Sequence, residues 1–163
     1  MIRFALIFTL AFSVALLITY HAQDLAAAIF QELLSAFIVL ATITGTLSYA
    51  LYAYVEGVAK DVAANEKNKG HASYNAVIDS LSSLKKEILV NAFAVVGLLL
   101  LERLAHGFSL LFPVCQTAYF NWPWAAAISI RVACFVLSTY VAAIQFHGFI
   151  VANEYRAIIS REK

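Results

Sequence analysis

Charge is what this sequence has least of. Asp, Glu, Lys and Arg make up 13% of its 163 residues, about half the share of a soluble domain, which excludes an ordinary water-facing surface. Glycine (6) and proline (2) are scarce as well, so long flexible linkers and proline-rich docking segments are excluded. The two cysteines, Cys115 and Cys134, have no CxxC spacing and frame neither a disulfide scaffold nor a metal site. They read as small apolar fillers, with a redox or intersubunit role for Cys115 as the alternative. No HExxH, nucleophile elbow or phosphate-binding glycine loop is present, so an enzyme is not expected and neither is a metal or other cofactor. The net charge is +1 without a basic patch, which argues against direct nucleic-acid binding.

What is there is hydrocarbon. The chain is 63% hydrophobic, and a membrane helix needs only ~20 mostly apolar residues. Four windows qualify, at residues 4–22, 31–55, 88–112 and 123–153. The expected fold class is therefore all-α: a polytopic membrane protein with four transmembrane helices in one domain and membrane lipid as its solvent. The first window has a basic start, but its apolar run is long and no small-residue pair suits a signal peptidase, so it reads as a retained span. Pro123 stands where a helix can begin.

Lys and Arg give the orientation. Arg3 precedes the first span, Lys60, Lys67, Lys69, Lys85 and Lys86 lie between the second and third, and Arg156, Arg161 and Lys163 follow the fourth. The connections at residues 21–31 and 113–122 contain none. Both ends of the sequence and the middle segment are thus expected in the cytoplasm of a bacterial inner membrane, with Trp122, Trp124, Tyr119 and Phe120 forming an aromatic belt at the opposite interface. Residues 56–87 are expected to project inward as a helical hairpin with its first helix stopped at Gly70. Along the second, Val77, Leu81, Leu84 and Ile88 recur at helical spacing. This stripe must cover its neighbour helix or a cytosolic partner, with Lys67, Lys69, Lys85 and Lys86 supplying charge beside it. The plainer reading is a solvated connector.

The stretch LLLLERLAHGF, residues 98–108, puts charge inside a span. Glu102, Arg103 and Arg131 fall at one depth, and Glu32 begins the second span at the same end. Their formal sum is zero, and an unpaired charge in hydrocarbon costs ~2.5–3.5 kcal/mol or more, so pairing is expected. Glu102 and Arg103 project about 100° apart on a helix and are not expected to satisfy each other. Arg131 is the natural mate for Glu102. Arg103 must then reach Glu32, a second copy of the chain or the interface, which argues for a homo-oligomer. His106 follows Glu102 by one turn. The set reads first as a helix-stabilising network, and otherwise as an ion path or proton relay. His21, His106 and His147 do not meet at one depth, so a haem is not expected. Thr42 and Thr46, with Gly45 four residues after Ala41, read as a close helix-packing face. With Thr9 and Ser13 they would instead line a narrow polar path.

Four short spans, the absence of a catalytic motif and an inward hairpin resemble the small membrane components of bacterial antiviral defence systems, the membrane subunit of the Kiwa system in particular. The resemblance is architectural, covers the whole chain and carries no diagnostic motif, so no residue role transfers. It implies an inner-membrane homo-oligomer that senses envelope disturbance during phage infection and holds a cytosolic DNA-binding partner. Two further classes remain beside such a scaffold: a small ion channel or membrane-disrupting effector, and an accessory subunit of a larger complex.

Overall fold

The computed structural model describes residues 2–64, 72–112 and 120–161, without the side chains of 23–29, 31–33, 63, 64, 72–75, 155 and 158–161. Four helices account for nearly all of it: α1 (Ile2–Ser35), α2 (Phe37–Ala64), α3 (Ala72–Leu111) and α4 (Trp122–Arg161). No strand occurs among the described residues. Each helix holds a segment long and apolar enough to cross a membrane: Ile2–Ala22, Phe37–Val62, Ala76–Leu111 and Trp122–Glu154. The chain is all-α with four membrane-spanning helices. At 1.5 Å per residue, the 40 residues of α3 and of α4 run about 60 Å, twice the ~30 Å of a hydrocarbon core.

The buried positions follow a 3-4 repeat. On α2 they are Phe37, Ala41, Thr44, Ser48, Leu51, Val55, Val58 and Val62; on α3 they include Ile88, Asn91, Val95, Leu98, Glu102, Ala105 and Ser109. A 3.5-residue period keeps one seam facing the neighbouring helix. Outside that seam the helices are apolar and exposed, as lipid-facing surfaces must be. Helix α4 is the best covered, with 56% of its span buried against 17% for the first.

The chain divides into two compact units. The first comprises Met1–Thr42 and Val95–Tyr140. Phe4 lies against Tyr140 (ring centroids 5.8 Å apart) and Phe37 against Phe135 (6.4 Å). Those partners are five residues apart on α4, whereas thirty-three residues of straight helix would span about 50 Å. The chain therefore turns back between Phe4 and Phe37. Ala15 and Ala22, with Phe30 and Leu34 further along, share one cluster with Ile128 and Val132. Residues 21–31, expected as a connection, are helical and belong to α1, which runs to Ser35. The interruption at Ala36 is minor: the Leu40 amide donates to the Ala36 carbonyl at 3.0 Å, and Leu34, Phe37 and Ala41 are all buried.

At the other end of this unit, Asn121 joins α3 to α4. Its side-chain oxygen accepts the Trp124 amide (3.1 Å), capping α4, and its amide donates to the Phe112 carbonyl (3.3 Å) at the end of α3. Tyr20, Phe120 and Trp122 stack there, with ring centroids 4.8–6.0 Å apart. Trp124, also expected in that belt, packs against the Ala15–Phe30 cluster, because the helical turn started at Asn121 rotates it away from Trp122. Tyr119 and Cys115 lie outside the described residues.

The second unit comprises Ile43–Ala94 and Val141–Lys163. Its core gathers Leu51, Val55, Val58 and Val62 of α2, Leu81 and Ile88 of α3, and Ala152 of α4, with Val77 and Leu84 packed against it. Gly148 allows the close approach: a Cβ there would meet Leu84 Cδ1 at 3.3 Å and Leu51 Cδ2 at 3.7 Å.

Candidate functional site

In the first unit α3 and α4 run antiparallel and bring Glu102 opposite Arg131. Glu102 is fully buried, and Arg131 Nε donates to its Oε1 at 2.8 Å. An ion pair of this kind is held where water is excluded, so each member depends on the other. Cys134, one turn beyond Arg131, is buried beside it with Phe37, Leu98 and Leu137.

Arg103 corrects one expectation. It was not expected to satisfy its neighbour Glu102, yet its Nε stands 3.2 Å from Glu102 Oε2. The arginine stem is long enough to fold back across the 100° between adjacent helix positions. The contact lacks hydrogen-bond alignment, and Glu102 Oε2 has no hydrogen-bond partner among the described residues. Glu102 is thus shared by two guanidinium groups, one buried and one, Arg103, 44% exposed.

His106 is half-buried one turn from Glu102, and its Nδ1 is buried with no partner among the described residues. It adds no hydrogen bond to the Glu102 pair. The Glu32 side chain lies outside those described, so its place in the cluster is not specified.

The second unit holds a polar contact that the sequence reading missed. Gln145 Nε2 donates to Ser48 Oγ at 2.6 Å, and Ser48 Oγ donates to the Thr44 carbonyl at 2.7 Å. All three residues are buried. The signal was available in the spacing: Arg131, Ser138 and Gln145 recur at seven residues along α4, and each is buried. Ser138 Oγ and Gln145 Oε1 have no partner among the described residues. Tyr54 is a second missed residue. Its hydroxyl donates to Asn153 Oδ1 (3.2 Å), and its ring lies under the Arg156 guanidinium (5.7 Å).

Thr42, Gly45 and Thr46 were expected to pack a close helix contact or line a path. All three face outward, Gly45 has nothing within 4 Å of an added Cβ, and the hydroxyls of Thr42 and Thr46 donate to the Ile38 and Ile43 carbonyls of their own helix. Thr9 and Ser13 behave alike, donating to the Ala5 and Thr9 carbonyls. The 3-4 seam of α2 runs along its other side.

The stripe on α3 is settled differently from a partner surface. Leu81 is fully buried, and Val77 and Leu84 are partly buried, all against α2 and α4 of the same chain. Of the two expected alternatives, the neighbour helix is the cover seen within the chain. Lys85 is also engaged, 3.8 Å from Glu56 Oε2 and 5.1 Å over the Tyr52 ring. Lys86 remains exposed, as do Asp79, Ser82, Ser83 and Glu87. Lys67, Lys69 and Gly70 lie outside the described residues. No group of His, Cys, Asp and Glu suited to a metal ion occurs among the described residues. No family model, curated protein or solved structure matches the chain.

Proposed function

We propose that the chain is a homo-oligomeric scaffold or sensor of the bacterial inner membrane that recruits or regulates a cytosolic partner, as in antiphage defence. The observation that carries this reading is the second unit. Its helices carry parts of three of the membrane-spanning segments and are locked together by the Leu51, Val55, Val58, Leu81 and Ile88 core. A mere connector needs no such core, since solvated loops and helix extensions tolerate polar sequence throughout. A packed unit of this kind moves as one body and would carry a displacement of its helices to whatever rests on its polar outside. With both ends of the sequence cytoplasmic, that outside is Asp79, Ser82, Ser83, Lys86 and Glu87 of α3. The outward Thr42, Gly45 and Thr46 face supplies the kind of surface on which membrane helices associate.

Extraction from native membranes in mild detergent tests the reading. A cytosolic protein should co-purify with the oligomer and be lost from a Ser83→Arg, Lys86→Glu variant whose oligomer mass is unchanged. A variant that keeps the partner at full yield removes the proposed surface. A second reading, a channel, rests on the buried Glu102–Arg131 pair, since charges inside a membrane default to transport roles. There, conductance in bilayers appears without any partner and changes with Glu102→Gln.

A further inference from the structure

The charge cluster of the first unit is unbalanced among the described side chains. It sets two guanidinium groups, Arg103 and Arg131, against one carboxylate, Glu102. Arg103 is the exposed member, and it meets Glu102 side-on through Nε. That mode leaves its terminal amino groups without a protein acceptor among the described residues. A guanidinium fork free on its outer edge matches a phosphate, which accepts two parallel N–H bonds.

The surroundings say what carries the phosphate. Leu100 (62% exposed) and Leu104 (73%) flank Arg103 on the helix surface, a face suited to acyl chains. One turn further, Gly107 is exposed with nothing within 4 Å of an added Cβ. A helical side chain covers the turn before its own Cα, so a residue at this position would roof Arg103. Gly107 leaves that place open. The helix ends at Leu111, about 12 Å from Arg103 along its axis, which is within reach of a headgroup and a snorkelling side chain together.

We propose that Arg103 and the Gly107 notch form a binding site for an anionic, phosphate-bearing membrane lipid. Its headgroup sits over Gly107 and its acyl chains run along Leu104 and Leu100. The lipid phosphate balances the surplus positive charge of the cluster. The site rests on α3 spanning a membrane and not on a cytosolic partner, so either proposal can fail alone.

Native mass spectrometry of the purified full chain, incubated with phosphatidylglycerol or phosphatidylcholine, tests it. Wild-type protein should retain phosphatidylglycerol with about tenfold preference. Arg103→Gln should reduce that preference to about twofold or less, and Arg103→Lys should keep most of it. Gly107→Leu should reduce it with every charge intact, and so reads the same site if Arg103→Gln fails to fold. An unchanged preference in Gly107→Leu and in any folded Arg103→Gln overturns the proposal. Displacement of the lipid by millimolar inorganic phosphate overturns it in favour of a free-anion site. Loss of the oligomer in Arg103→Gln with lipid preference intact overturns it in favour of a second copy's carboxylate.

Discussion

Among the described residues Glu102 has two cationic neighbours and Arg131 has one anionic neighbour, and this asymmetry makes their substitutions unequal. Glu102→Gln leaves Arg131 charged and buried with no counter-ion, at a cost of about 3–5 kcal/mol. Arg131→Gln leaves Glu102 still in contact with Arg103 at 3.2 Å, so it should cost less, about 1–3 kcal/mol. The double variant should lie closer to wild type than Glu102→Gln alone. Thermal unfolding in neutral detergent orders the three; equal single losses that add in the double variant would show that the carboxylate is not shared. Gln145 and Ser48 follow the same logic without charge. Ser48→Ala strands the buried Gln145 amide, which already lacks a partner for Oε1, and should cost about 1–3 kcal/mol. Pairing it with Gln145→Leu should recover most of that loss in the same unfolding assay.

For the elements, the spans and the pairing of α3 with α4 were legible in the sequence. Hydropathy sets the first, and matched depth of Glu102 and Arg131 sets the second. What escaped depended on side-chain reach and on which side of a helix its partners occupy. Periodicity marked Val77, Leu81 and Leu84 as one stripe, but a stripe does not name what covers it; Gly148, by admitting Leu84, closes it within the chain. Likewise Thr42, Gly45 and Thr46 have packing-type spacing, but spacing did not reveal the buried seam through Thr44 and Ser48 on the same helix. The reversal between Phe4 and Phe37 has no proline or glycine to announce it. Two outcomes follow for the second unit. Leu81→Ala should cost about 2–5 kcal/mol, and Leu81→Glu should unfold the unit, read as rapid proteolysis between α2 and α3, rather than merely release a partner. Gly148→Leu should force Leu84 and Leu51 aside and cost about 1–3 kcal/mol; stability equal to wild type would mean that α4 does not approach so closely.

At the scale of the whole molecule, two of the four membrane-spanning helices have 40 residues, more than a bilayer needs. The Lys and Arg distribution predicts that the polar segment between the second and third spans faces the cytoplasm. In a Cys115→Ser background, a Lys86→Cys substitution should therefore react with a membrane-impermeant thiol reagent only in inverted vesicles, and reaction in intact cells would reverse the orientation. Recruitment of a cytosolic protein by a homo-oligomer is the central claim, and the intact mass of the complex extracted from native membranes tests it most directly. The expected mass is an integral multiple of the 17.9 kDa chain plus a remainder belonging to a soluble protein, with the remainder lost in the Ser83→Arg, Lys86→Glu variant. A wild-type mass of a single chain, or of a multiple of 17.9 kDa with no remainder, would contradict it.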